Sequence, residues 1–145
     1  MLKLSLIGSA LIAITVIIHA FGTSRWMSHL AARFANDVAW TGWQAMFVLV
    51  NTALVVFALH TVEIVLWAAA YLALLPVDEL ASFEEAVYFS FVTFTTLGYG
   101  EITLTAGWRL LSGIEALNGI LLVGWTTAMI FAIVQNAWRG LANNK

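Results

Sequence analysis

The chain contains no cysteine, one proline and few charges: only 10% of its 145 residues are Asp, Glu, Lys or Arg. The missing cysteines exclude disulfides and thiolate metal sites. No basic cluster marks a nucleic-acid surface, and a formal net charge of -2 says little about partners. No Ser/Gly-rich linker, low-complexity tract or internal repeat divides the sequence. No span carries an arginine at every third position, so no voltage sensor is visible, and no ligand-binding domain is visible either. What the sequence has in excess is apolar surface. A soluble domain carries about 25% charged residues; here 62% of residues are hydrophobic and the mean hydropathy is +0.93. Such a chain needs the bilayer as its solvent, and its length admits one domain.

A hydrocarbon core of about 30 Å takes about 20 helical residues to cross. The first run of that length is "LSLIGSALIAITVIIHAFG", Leu4 to Gly22. It reads as a retained helix rather than a signal peptide, because "HAFGTSRW" is a poor cleavage site. Thr23 to Thr41 then sets Trp26, Leu30, Phe34 and Val38 among Arg25, His29, Arg33 and Asp37. Spacings of three and four predict an amphipathic helix lying in the interface. Residues 1–43 are therefore expected to form a transmembrane helix followed by an interfacial segment. Gln44 to Leu75 is apolar throughout, with His60 and Glu63 inside it, and predicts one long tilted helix ended by Pro76. In "PVDELASFEEA", Ser82 followed by Glu85 makes a capping box and predicts a short helix from Phe83. Gly107 to Asn136 is the last span, with Trp108 and Trp138 at its ends. Arg25 and Arg33 precede the second span and Arg139 and Lys145 follow the third. The positive-inside rule puts both groups in the cytoplasm, and Asp78, Glu79, Glu84, Glu85 and Glu101 outside.

"TFTTLGYGEI", Thr93 to Ile102, interrupts this apolar chain with its most polar backbone. A bare alkali cation in a membrane needs oxygens to replace its hydration shell, and backbone carbonyls supply them without fixed charge. Aiming successive carbonyls one way requires alternating backbone handedness, which glycine makes cheap at Gly98 and Gly100. Leu97 and Tyr99 would then point away from the ion path, and Thr96 adds a hydroxyl. The preceding short helix turns its negative C-terminal end toward the cation. Irregular backbone of this kind is tolerated at membrane depth only inside protein or along a watery cavity.

"TTLGYGE" resembles the potassium-channel signature, usually written Thr-Val-Gly-Tyr-Gly-Asp. The resemblance runs from Ser82 to about Gln135, with the outer helix before it, and is to the pore module of bacterial two-transmembrane potassium channels. It implies an all-α membrane protein with the potassium-channel pore fold: outer helix 44–75, re-entrant pore helix and filter 82–101, inner helix 107–136. Residues 44–145 then form the pore domain, and the N-terminal helix is an addition to it. The family implies a homotetramer among membrane lipids, in a bacterial inner membrane, conducting potassium passively and without enzyme chemistry. Potassium ions would sit at Thr96, Leu97, Gly98 and Tyr99, with no other cofactor; Gly100 completes the filter and Glu101 is the outer-mouth acid. Gly119 and Gly124 fall at hinge positions of the inner helix. One filter loop cannot surround an ion and four copies can, which agrees with a tetramer.

The sequence departs from that pattern in places. Leu97 replaces valine, Glu101 replaces aspartate, and Val92 stands where some relatives carry a buried acid behind the filter. Support for the filter is then expected from Tyr88, Thr93 or Thr95. These departures keep a weakly selective monovalent cation channel as an alternative. A proton-coupled membrane transporter built on His60, Glu63 and Glu115 is another.

Acids inside a span are costly and mark function or structure. His60 and Glu63 lie three apart on one face, and Glu115 and Asn118 share a face of the last span. They serve either as a protonation-sensitive latch on gating or as bonds holding helices together, and the structural use is the expectation. His19 reads as a lone packing residue. With no second ligand at helical spacing around it, a metal site there is not expected.

Overall fold

The computed structural model describes residues 2–34, 40–76 and 78–142. It is all-helical among the described residues: α1 (Leu2–Phe34), α2 (Gly42–Leu74), α3 (Phe83–Phe94) and α4 (Arg109–Ala142). Three of the four, α1, α2 and α4, are long and apolar enough to cross a membrane. They hold 33, 33 and 34 residues, or about 50 Å each at 1.5 Å per residue. That exceeds a hydrocarbon core of about 30 Å, so each must tilt or protrude.

Local chemistry fixes the helix ends. Thr41 caps α2: its hydroxyl accepts from the Gln44 N–H at 3.2 Å, and the Gln44 side chain accepts from the Thr41 N–H at 2.7 Å. This is a complete capping box. At the other end, Leu75 turns extended before Pro76, as a residue preceding proline prefers. Ser82 caps α3 by accepting from the Glu85 N–H at 3.1 Å. Glu85 reaches back one residue further than a standard box, to the Ala81 N–H at 2.7 Å.

The N-terminal region departs from expectation. Thr23 onward does not form a separate interfacial helix, because α1 runs unbroken through Gly22 to Phe34. Gly22 does not break the helix. A Cβ there would lie 2.4 Å from Leu59 Cδ2, so its bareness lets α2 pack closely. Beyond it, Thr23 is buried and donates its hydroxyl to the His19 carbonyl at 2.7 Å. The Trp26 indole donates to Thr52 of α2 at 2.9 Å. The remainder of the expected amphipathic segment, residues 35–39, lies outside the described residues.

Two ties fix how the helices alternate. The Trp40 N–H donates to the Gly140 carbonyl at 3.0 Å, joining the start of α2 to the end of α4. At the opposite end, the Thr105 N–H donates to Glu79 at 3.0 Å, and the Thr105 hydroxyl donates to the same carboxylate. Those two bonds hold the Glu79 carboxyl below its ordinary range, the hydroxyl bond contributing more than the N–H. α3 packs against α2 and α4, and α1 packs against the same two helices. The core joins Trp67, Tyr71, Phe89, Phe94, Leu111 and Leu122.

Candidate functional site

α3 is 12 residues long, too short to span, and it ends at Phe94 where the chain turns irregular. Thr95 remains right-handed as the cap. Thr96, Gly98 and Gly100 then have φ of 58°, 57° and 88°, while no positive φ occurs at Leu97 or Tyr99. The backbone thus alternates in handedness residue by residue. Glycine takes the left-handed region freely at 98 and 100. Thr96 does not, and a β-branched residue there stores about 1–3 kcal/mol of backbone strain. The sequence does not mark Thr96 as left-handed, since threonine is not enriched there. Only the unbroken alternation starting one step before Gly98 would have revealed it.

The segment is anchored by its N–H groups. Thr96 donates to the Thr93 carbonyl at 2.9 Å, and Leu97 and Gly98 both donate to the Val92 carbonyl, at 2.9 and 3.3 Å. Among the described residues, the carbonyls of Thr96 to Gly100 accept no backbone hydrogen bond. Carbonyls without backbone partners beside the negative end of α3 suit a cation better than an anion. The side chains of Leu97 and Tyr99 are 53% and 68% exposed, and the two face away from this chain's core.

Three more features surround the segment. The Glu101 carboxylate lies close enough to the Tyr88 hydroxyl to raise its pKa, which sets the residue after Gly100 beside α3. A cleft of about 420 Å³ lies behind the segment, lined by Tyr88, Val92, Thr93, Gly98, Glu101 and Arg109 among others. A second cleft, of about 370 Å³, lies beneath Thr95 and Thr96 along Gly119, Val123, Gly124 and Thr127 of α4.

A family model described as "Ion channel" matches residues 46–136, more than half of the chain. The chain belongs to that ion-channel family. No curated protein and no solved structure gives a significant match. The matched region starts inside α2 and contains all of α3, the irregular segment and most of α4. With three helices able to span, this ion-channel chain is a multi-pass membrane protein.

The remaining polar residues singled out in the sequence fall into three clusters rather than one. Glu115 is fully buried and accepts from the Tyr71 hydroxyl at 2.6 Å and from the Ser90 hydroxyl, so it joins α4 to α2 and α3. Asn118 turns the other way, donating to Thr15 of α1 at 2.8 Å. Glu63 lies between two imidazoles, His19 Nδ1 and His60 Nδ1, each 2.9 Å from one of its oxygens. His19 is therefore not a lone packing residue. Its partners come from a neighbouring helix, which spacing along α1 cannot reveal. A usable signal was present: Glu63 has no Lys or Arg in its span, and His19 and His60 are the histidines of the apolar runs.

The two inner-helix glycines differ. A Cβ on Gly119 would lie 1.8 Å from the Phe94 carbonyl oxygen, whereas one on Gly124 would meet nothing within 4 Å. Gly119 lets the end of α3 rest directly on α4, a packing reason for glycine that is independent of any hinge.

Proposed function

We propose that the chain is one subunit of a homotetrameric channel that conducts potassium ions passively and selectively across a cell membrane. The observation that carries this reading is the alternating handedness through Thr96, Gly98 and Gly100. Such a backbone offers successive carbonyls to one side, and four copies around an axis would enclose an ion in oxygens. Ions would be held at Thr96, Leu97, Gly98 and Tyr99, with Gly100 closing the ladder. Glu101, beside Tyr88, braces the outer mouth where Val92 supplies no acid. The exposed Leu97 and Tyr99 are in keeping with burial against neighbouring subunits. Gly124 is the better hinge candidate of the two, since a Cβ there would meet nothing within 4 Å.

A weakly selective monovalent cation channel is the second reading. The cleft behind the filter favours it, because the Val92 side chain lining it offers no hydrogen bond to hold the filter's width.

Ion flux from liposomes holding the purified chain separates the two. A potassium gradient driving flux well above an equal sodium gradient is expected. Equal fluxes would select the second reading. No flux, with no tetramer by crosslinking, would overturn both.

A further inference from the structure

His19, His60, Glu63 and Thr126 meet at one buried point between α1, α2 and α4. His19 and Glu63 are fully buried, and His60 is 16% exposed at its side chain. Both Nδ1 atoms face the carboxylate at 2.9 Å. Both Nε2 atoms face one hydroxyl, Thr126 Oγ1, at 3.1 Å from His60 and 3.3 Å from His19. Trp125 packs edge-on against His19, and Phe94 of α3 lies against His60. Glu115, the other buried acid, belongs to the separate cluster with Tyr71 and Ser90.

Counting hydrogens shows what this arrangement lacks. Its four contacts need four hydrogens. Two neutral imidazoles bring one each, the threonine hydroxyl brings one, and an ionised Glu63 brings none. One contact stays open, and a buried carboxylate stays uncompensated, unless a further cation enters.

We propose that His19 Nδ1, His60 Nδ1 and Glu63 bind a divalent transition-metal ion of the zinc class, with Thr126 as the outer partner of both imidazoles. Metal on each Nδ1 leaves a hydrogen on each Nε2. Both N–H groups then donate to Thr126 Oγ1, whose two lone pairs accept them. Every contact closes without an added proton. An imidazole that binds metal through one nitrogen and donates through the other has the usual outer-shell arrangement. Two imidazoles and a carboxylate with a position left for water is a recurrent zinc ligand set. The three ligand atoms lie within 4.8 Å of one another. Ligand edges of a tetrahedron at about 2.0 Å bonds are about 3.3 Å; the two 2.9 Å contacts, His19 to Oε1 and His60 to Oε2, would widen by a few tenths of an ångström, and the ligand atoms would draw in around the ion. Imidazole nitrogens select zinc, cobalt, nickel or copper over magnesium, calcium or potassium. The site is apart from the carbonyl segment, and the inference stands whether or not the channel selects potassium.

The test uses the full chain without a histidine tag, stripped with a chelator and titrated with Co²⁺. Expected are one Co²⁺ per chain with the visible absorption of a tetrahedral ion, and displacement by Zn²⁺. His19→Ala and His60→Ala should lose the band, Thr126→Val should weaken binding roughly 10–100-fold, and His29→Ala, at an exposed histidine, should change nothing. Absence of uptake by the parent protein overturns the proposal, as does a band that survives His19→Ala or vanishes in His29→Ala. X-ray absorption of the zinc-loaded parent needs no variant: two imidazoles and at least one oxygen are expected, and a shell with fewer than two imidazoles overturns the site.

Discussion

The segment from Thr96 to Gly100 and the buried polar clusters of the same chain are opposites. In the clusters, each acid meets polar side chains of its own chain: Glu115 with Tyr71 of α2 and Ser90 of α3, Glu63 with His19 of α1 and His60 of its own helix. In the segment, the N–H groups of Thr96, Leu97 and Gly98 are engaged while its carbonyls accept no backbone hydrogen bond among the described residues, Thr96 is strained, and Leu97 and Tyr99 are exposed. The clusters turn inward onto groups of the same chain, and the contact left open at Glu63 is enclosed there, where the proposed metal ion would close it. The segment leaves its carbonyls without backbone partners in the single chain, as the proposed assembly around an ion would require. In a bilayer that contrast is strong, since unpaired backbone oxygens cannot face lipid. Fold stability should therefore respond to the clusters, and conduction to the segment.

Gly98→Ala tests the conduction side and carries the largest expected effect. A Cβ at φ 57° is strained although no neighbour crowds it, so flux in liposomes should fall to background while the protein still folds. Loss of folding together with flux would break the distinction. Glu115→Leu tests the other side. It leaves the buried Tyr71 hydroxyl without its acceptor, while Ser90 keeps the Ile64 carbonyl at 3.0 Å, at a cost of about 1–3 kcal/mol. Denaturant unfolding in detergent should show the loss, and residual channels should keep their ion preference.

Gly119→Ala and Gly124→Ala sharpen the comparison. The first drives a methyl into the Phe94 carbonyl and should both destabilise the protein and disturb the segment that follows α3. The second should leave stability nearly unchanged and alter only opening, seen as a changed open fraction at constant ion preference. A smaller effect is expected from pH. Glu79 is depressed by its Thr105 bonds, so that contact is complete above the ordinary carboxylate range and is lost as pH falls through the lowered value. Acidification should free the loops joined by Glu79 and Thr105, seen as faster hydrogen exchange near Thr105, and Glu79→Gln should remove the acid dependence. The smallest effect belongs to Trp67→Phe. The buried Trp67 indole N–H has no hydrogen-bond partner, so lost packing and relieved desolvation should nearly cancel, within about 1 kcal/mol.

The parts of this architecture that are local in sequence were legible in it. Long apolar runs announce α2 and α4, Ser82 with Glu85 announces the start of α3 at Phe83, and Pro76 marks where α2 must stop. Gly98 and Gly100 announce positive φ because few other residues adopt it cheaply. What was not legible depends on contact between helices. His19 gains its role from a residue 44 positions away, Gly119 from the Phe94 carbonyl, and Gly22 from Leu59, which is why a residue that could end α1 continues it. Thr96 is the remaining case: its strained conformation follows from the backbone on both sides, not from threonine's own preference.

The N-terminal helix meets the rest of the molecule through unlike pairs at successive depths: Thr15 with Asn118, His19 with Glu63 and Thr126, and Trp26 with Thr52. Apolar surfaces would let helices slide, since one leucine resembles the next. Here each tooth fits a single notch. A slip of one turn, about 5.4 Å, would unmatch all of them together and turn polar groups into hydrocarbon. α1 is thus a key cut to one lock: it adds little attraction per contact, about 0.6 kcal/mol each in membranes, yet it fixes the rotation and height at which α2 and α4 stand.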